Sequence, residues 1–288
     1  MAGGSEERRR LLGSVRTVTS YRAIATDLDG TLLRTDKSVS ARTRDAVLAA
    51  EASGMLVVIA TGRPPRWIAP VVDELGDRGL VVCANGAAVY DPARHELVER
   101  TELDAEVARS IVDDLEEAYP DAVLGIEAGF DFAVDESITR ADLELAGSWN
   151  LEGLHIGPIR SFLDEPVLKL IVRLPHPAPD GTADAVQALV GDRALVTHST
   201  TESFLELSHP TVHKAATVER LLIESDIAAS SVVAFGDMPN DLELIRWAGL
   251  GVAVANADPR LKAAADEVTA SNDDDGVALV IERLLDGG

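Results

Sequence analysis

The chain has 288 residues, 46% hydrophobic and 26% charged, enough for one large globular domain or two modest ones. Its 26 basic and 49 acidic residues give a net charge of −23, a field that repels phosphate backbones and argues against nucleic acid as a partner. No apolar run reaches the roughly 18–20 residues of a membrane span, and the single cysteine excludes an intrachain disulfide, as in a reducing compartment.

Residues 1–20 carry Arg8-Arg9-Arg10 and then only Leu11-Leu12 before polar residues resume. They lack the about 7–15-residue apolar stretch of a secretory signal, and read as a disordered tail on a cytoplasmic protein. Ala23-Ile24-Ala25-Thr26 is a short apolar strand that runs into a loop containing Gly30. A helix follows from Ala41 to Gly54, with Ser40 as its cap and Gly54 as its terminator. Met55 to Ala60 is apolar throughout and β-branched, the pattern of a strand buried on both faces of a parallel sheet. It ends at Thr61-Gly62-Arg63. A helix over Pro65 to Leu75 and a strand over Leu80 to Ala84 complete an alternating α/β pattern, and the strand, which contains Cys83 as a small core residue, ends at Asn85-Gly86.

The pattern changes after residue 87. Val89-Tyr90 and Glu96 to Val98 read as a hairpin, and Asp104 to Tyr119 as a helix. Strands near Val123 to Ile126, Phe132 to Val134 and Leu168 to Arg173, a helix over Gly181 to Val190, and a hairpin from Ala194 to Leu207 describe an α+β insert with its own core. The α/β pattern then resumes. It consists of a helix from Lys214 to Ile223, a buried strand Ser231 to Phe235 ending at Gly236-Asp237, a helix Asn240 to Trp247, a strand Gly251 to Val254, and helices Pro259 to Ala264 and Gly276 to Leu285. The expected architecture is a doubly wound, mostly parallel α/β sheet formed by residues 21–87 and 208–288, with residues 88–207 as an inserted α+β cap domain.

Four polar points fall just after strands or at a helix start: Asp27/Asp29, Thr61, Lys214 and Asp237/Asp241. Open α/β sheets gather ligands at the carboxyl ends of their strands, so these points can converge although they lie far apart in sequence. Two carboxylates in one short loop suit phosphoryl transfer. One could attack phosphorus and form an aspartyl-phosphate, while the other protonates the leaving oxygen and then activates water. A divalent cation with oxygen ligands would relieve the repulsion between carboxylate and phosphate, and Asp237 could add a further carboxylate. Thr61 and a lysine could hold the phosphate oxygens. A calcium-binding hand fails as a rival, because the twelfth position counted from Asp27 is Ser38 rather than glutamate. A zinc site at His209 and His213 fails because Pro210 breaks the helix between them. Phe130 and Trp149 in the insert read as packing residues, and Asp273-Asp274-Asp275 as a solvated loop.

Asp27-Leu28-Asp29-Gly30-Thr31 resembles the first motif of haloacid dehalogenase superfamily phosphatases. Thr61-Gly62-Arg63 resembles the second, Lys214 the third and Gly236-Asp237-Met238-Pro239-Asn240-Asp241 the fourth. The third reads Lys214-Ala215 where the family often has Lys-Gly. Asn85-Gly86 and the size and place of the insert resemble the Cof-type subgroup with a C2-type (IIB) cap, and the resemblance covers about Arg22 to Leu285. It implies Asp27 as nucleophile and Asp29 as acid/base. It also implies Mg2+ held by Asp27, the Asp29 carbonyl and Asp237. Phosphate would be held by Leu28, Thr61, Gly62, Lys214 and Asn240, with Asp241, Asn85 and Arg63 in support. The implied substrate is a small phosphorylated metabolite such as a sugar phosphate, handled by a monomer or homodimer. The rival readings are a phosphomutase of the same superfamily and a non-catalytic metabolite-binding protein on this fold. The loops Glu127 to Asp131 and Ser199 to Ser203 are the expected specificity surface.

Overall fold

The computed structural model describes residues 21–68, 71, 75, 79–139, 153–175, 177–197 and 203–287. The expected tail at residues 1–20, Trp149 and residues 199–202 lie outside the described residues. Eight strands form the first sheet. Their spatial order is β14 (Glu267–Val268), β13 (Leu250–Ala253), β12 (Val232–Gly236), β1 (Ala23–Thr26), β2 (Leu56–Ala60), β3 (Val81–Cys83), β4 (Ala88–Asp91) and β5 (Glu96–Arg100). Pairing is parallel from β14 through β3. β1 and β12 are buried along their whole length, as their unbroken apolar sequences require of strands covered on both faces. The chain winds outward from β1 in one direction through β2 and β3, and from β12 in the other through β13 and β14. The crevice at the carboxyl ends of β1 and β12 is therefore the switch point of a doubly wound sheet.

Helix α1 (Ala41–Ala52) starts where the Ser40 hydroxyl accepts a hydrogen bond from the Thr43 amide at 2.9 Å, and packs on α7 (Gly276–Leu285). Helices α4 (Lys214–Ile223), α5 (Leu242–Trp247) and α6 (Pro259–Ala264) accompany the second half of the sheet. In place of the first part of the helix expected over residues 65–75 there is a 3-10 turn at Pro65–Trp67, and Val71 and Leu75 are helical.

The hairpin β4–β5 was expected to open the insert, but it is bonded to β3 and extends the first sheet by two antiparallel strands. The reason is local backbone geometry. Ala84 (φ 53°), Asn85 (φ 58°) and Gly86 (φ 109°) are left-handed in succession, which turns the chain back beside β3. Gly86 is required there for a second reason, since a Cβ would lie 2.8 Å from the His213 carbonyl oxygen.

The second sheet has the order β10 (Leu195–Thr197), β11 (Phe204–Ser208), β9 (Lys169–Arg173), β6 (Val123–Ala128), β7 (Asp131–Asp135), β8 (Leu154–Gly157). All its pairings are antiparallel except β7–β8. Strand alternation sorts its two faces. Leu124, Ile126, Leu170, Val172, Leu205 and Leu207 pack in one core with α2 (Ala105–Ala118) and α3 (Thr182–Val190). The residues between them, including Glu127, Lys169, Ile171 and Glu206, point the other way, into a cleft over the first sheet.

Candidate active site

The cleft encloses about 790 Å³ between the ends of β1, β2 and β12 and the open face of the second sheet. Asp27 follows β1 directly, and its amide donates to the Phe235 carbonyl of β12 at 3.0 Å, which locks the two strand ends together. Lys214, the first residue of α4, is 1% exposed. Its Nζ donates to Asp27 Oδ1 at 2.5 Å and to Asp241 Oδ1 at 2.6 Å. The His213 ring caps α4, with Nδ1 accepting from the Ala216 amide at 3.2 Å, and so fixes where Lys214 enters the cleft. The other oxygen of Asp241 accepts from the amides of Asp237 and Met238, both at 3.1 Å, so this carboxylate folds the loop after β12.

Asp237 Oδ1 accepts from the Thr31 hydroxyl at 3.1 Å, tying the loop after β12 to the loop after β1. Gly30 lets the two loops touch. Its φ is 77°, and a Cβ would sit 2.3 Å from Asp237 Oδ2. The Gly30 carbonyl accepts from Asn256 Nδ2 at 2.7 Å, and the Asp237 carbonyl accepts from the Asp258 amide at 2.7 Å.

Asp27, Asp237 and Asp241 each place a carboxylate oxygen within 4.8 Å of the others. Three clustered hard oxygen donors suit a divalent cation such as Mg2+. Asp241 already spends both oxygens on Lys214 and two amides, so Asp27 and Asp237 are the carboxylates with capacity to bind it. The electrostatics agree with that fit. Burial, together with the carboxylates of Asp241 and Asp237, pushes Asp27 well above the usual carboxylate range despite the pull of Lys214. Burial and the Asp241 carboxylate push Asp237 up to about 7. Lys214, although burial opposes its charge, is held protonated by Asp241 and Asp27. One ammonium among several carboxylates leaves negative charge that a cation would balance.

Asp29 points elsewhere. Its carboxylate accepts from Arg63 Nε at 2.6 Å, Arg63 Nη2 at 2.7 Å and Lys37 Nζ at 2.9 Å, and it does not join the carboxylate cluster. Burial works to raise its pKa, but the Arg63 fork and the Lys37 ammonium outweigh it and hold the carboxyl below its ordinary value. Arg63, expected in a supporting role, is thus the direct partner of Asp29. Thr61 follows β2, and its Oγ1 accepts from the Arg63 amide at 3.1 Å, leaving its O–H to donate. Leu28 is buried, and its carbonyl accepts from the amides of Thr31 and Leu33, closing the first loop. Asn240 Nδ2 donates to Asn85 Oδ1 at 3.0 Å, while the buried Asn240 Oδ1 finds no donor among the described residues. Gly62 packs against Asn85, whose Oδ1 would lie 3.1 Å from a Cβ at that position.

The structure therefore brings Asp27, Asp237, Asp241 and Lys214 into one buried cluster, places Thr61, Gly62, Asn85 and Asn240 beside it, and sets Asp29 with Arg63 at its rim. Sequence reading missed Lys37, Asn256 and the tie from Thr31 to Asp237. It placed Glu127 on the expected specificity surface but missed the partner of that residue and the other groups opposite. Arg66 makes a two-pronged ion pair with Glu127 of β6 (Nη2 to Oε1 2.8 Å), and its guanidinium stands 4.8 Å from the centre of the Phe132 ring. Lys169 and Glu206 reach the core loops from β9 and β11. The legible signal for these last two was a charged residue on an otherwise apolar strand, at alternating positions that face away from Leu170 and Leu207.

Comparison with known proteins identifies the family. The 5-amino-6-(5-phospho-D-ribitylamino)uracil phosphatase YwtE of Bacillus subtilis (strain 168) is 30% identical over 92% of this chain and 99% of its own. A haloacid dehalogenase-like hydrolase from Bacteroides thetaiotaomicron superposes with a TM-score of 0.74 at 29% identity, over 92% of this chain and 99% of that one. A subclass IIB sugar phosphatase has the same fold, with a TM-score of 0.77 at 21% identity over 91% of this chain and 98% of its own. The haloacid dehalogenase-like hydrolase family matches residues 24–281, which span every element of the site described above. The chain therefore belongs to the haloacid dehalogenase-like hydrolases and shares the fold of their subclass IIB phosphatases.

Proposed function

We propose that the protein is a Mg2+-dependent phosphatase that hydrolyses a small phosphorylated metabolite through an aspartyl-phosphate on Asp27. The observation that carries this reading is the buried junction at Lys214, where one ammonium holds Asp27 and Asp241, residues drawn from strand ends far apart in the chain. A lone aspartate would gain nothing from such a junction, whereas a nucleophilic carboxylate must be both ionised and aimed. Asp27, Asp237 and the Asp29 carbonyl would hold Mg2+, which would supply the positive charge that lets a carboxylate approach a phosphate dianion.

Asp27 attacks phosphorus, the phosphorus–oxygen bond to the leaving group breaks, and the leaving oxygen takes a proton from Asp29. A water molecule then attacks the aspartyl-phosphate and gives its proton to Asp29, so that Asp27 and orthophosphate are released. Thr61 donates its hydroxyl to the phosphoryl oxygens, and Lys214 balances the charge they carry. Asp29 starts in its ion pair with Arg63 and Lys37, which favours its carboxylate form. That form suits the second step directly. In the first step the proton arrives with the substrate monoanion or from solvent as Asp29 leaves Arg63. The body built on the second sheet acts as a cap, and Ile171, Phe132 and Phe204 give the cleft an apolar wall. Such a wall, next to the Arg66–Glu127 ion pair, suits a leaving group with hydroxyls and an apolar face. The names of the relatives, a phosphatase of a ribitylamino-uracil phosphate and a sugar phosphatase, support that class.

The test is a panel of metabolite phosphates incubated with the purified protein and Mg2+, with release of orthophosphate measured. Turnover is expected with the wild-type chain, and its abolition with Asp27→Asn in a protein that still unfolds cooperatively. Turnover that survives Asp27→Asn overturns the assignment of the nucleophile.

A further inference from the structure

Two charged residues of the second sheet end on the loops that surround the proposed phosphate site. Lys169 Nζ donates to the Gly62 carbonyl at 3.1 Å and stands 3.2 Å from Glu206 Oε2. The same Glu206 oxygen accepts from Asn85 Nδ2 at 2.8 Å. Asn85 in turn accepts from Asn240 through its Oδ1, and its own amide donates to the Thr61 carbonyl at 3.0 Å. The side chains of Lys169 and Glu206 are only 3% and 9% exposed. Burying a charged pair is costly, and an apolar contact would hold two bodies together at less cost. The pair also meets the core at its most constrained backbone. Ala84 and Asn85 are successive non-glycine residues in the left-handed region, a conformation that persists only where the surroundings impose it.

We propose that Lys169 and Glu206 are positioning residues that form a latch. When the inserted sheet is seated, they set the Gly62 peptide and the Asn85–Asn240 pair, and so complete the groups around the phosphate. The latch acts through the core loops and not through the leaving group. Removal of either side chain therefore weakens the site equally for every phosphate, down to orthophosphate itself. A contact to the leaving group would instead discriminate between esters. This inference rests on the phosphoryl-transfer reading of the site.

Orthophosphate binding in the presence of Mg2+, measured by titration calorimetry, is compared with kcat and KM for para-nitrophenyl phosphate and for the much smaller acetyl phosphate. Lys169→Met leaves the Glu206 carboxylate buried without its ammonium, so the neutral pair Lys169→Met with Glu206→Gln is measured beside it as a variant with no buried charge. The double variant loses the tie to Gly62 and keeps an acceptor for Asn85. The latch predicts that orthophosphate binding weakens about tenfold in both variants, the scale of coupling between linked sites, and that kcat falls by a similar factor on both substrates. Glu206→Gln alone, which keeps Lys169 and the acceptor for Asn85, recovers most of the loss. Unchanged orthophosphate affinity, or a rise in KM confined to the aromatic ester, overturns the latch. A wild-type protein that binds orthophosphate yet cleaves neither compound, nor any phosphate of the metabolite panel, overturns the phosphatase reading, and the binding arm still decides the latch. A wild-type protein that neither binds orthophosphate nor cleaves any of these phosphates overturns both.

Discussion

Lys214→Met removes the charge at the centre of the site while keeping most of its volume, so its cost reports electrostatics rather than a cavity. Nζ lies 2.5 Å from Asp27 and 2.6 Å from Asp241. At an effective dielectric of about 20, each contact amounts to about 6 kcal/mol of gross attraction, most of it offset by the desolvation of the buried groups. What is lost is the compensation of carboxylates that stay buried, and such losses run to about 3–5 kcal/mol. The pH dependence has a definite sign. Burial raises the folded-state pKa of Asp27 above its unfolded value, and Lys214 is the main group pulling it back. Without Lys214, the native state holds its proton more tightly still. A raised carboxyl contributes stability that is fully present below the unfolded pKa and is lost as pH rises through the folded one. The deficit of Lys214→Met should therefore be largest near pH 8 without metal and should shrink as the pH falls toward 5. Mg2+ should also reduce it. Urea unfolding followed by circular dichroism, for both proteins at pH 5.5 and pH 8 with and without Mg2+, measures all of this. A deficit below about 1 kcal/mol at pH 8, or one that grows on acidification, would refute the reasoning.

Mg2+ at a hundred times its dissociation constant should stabilise the wild-type protein by about 2.7 kcal/mol, a rise in melting temperature of several degrees seen in a thermal scan against a chelator control. Its affinity should fall between pH 8 and pH 6, because Asp237, raised to about 7, must give up its proton to bind the cation; calorimetry at the two pH values decides this. Gly30→Ala should lower stability by about 2 kcal/mol or more and weaken Mg2+ binding, since it adds a Cβ at φ 77° that meets Asp237 Oδ2 at 2.3 Å; an unchanged unfolding midpoint would count against the close approach of the two loops. Arg63→Ala releases Asp29 from the fork that holds its pKa down, so the limb of the pH–rate profile set by Asp29 should move to higher pH, and an unmoved profile would remove Asp29 from the proton-transfer steps.

What could be read from sequence was local, and what could not was pairing at a distance. The helices Lys214–Ile223, Pro259–Ala264 and Gly276–Leu285 stand where the sequence places them, because caps and periodicity are written within a few residues. The convergence of Asp27, Lys214, Asp237 and Asp241, the residues proposed to do the chemistry, was legible for a similar reason, since the spacing within each loop is short and the rule that ligands meet at strand ends supplies the rest. The hairpin β4–β5 was recognised as a hairpin and assigned to the wrong body, because alternation within a strand does not say which sheet it joins. That choice was made by the left-handed run at residues 84–86, and nothing in an alanine announces it. β8 was missed because its Leu154-His155-Ile156-Gly157 is not an unbroken apolar run and is not buried, and β14 because two residues carry too little pattern. Lys169 and Glu206 illustrate the same limit from the other side. Their strands were read, and the alternation that turns them away from Leu170 and Leu207 was available, but their partners Gly62 and Asn85 lie more than a hundred residues upstream. The inserted sheet therefore does more than roof the cleft. Its two charges bond directly to Gly62 and Asn85, so substitution of Lys169 or Glu206 should act on the groups proposed to hold phosphate without first passing through the substrate.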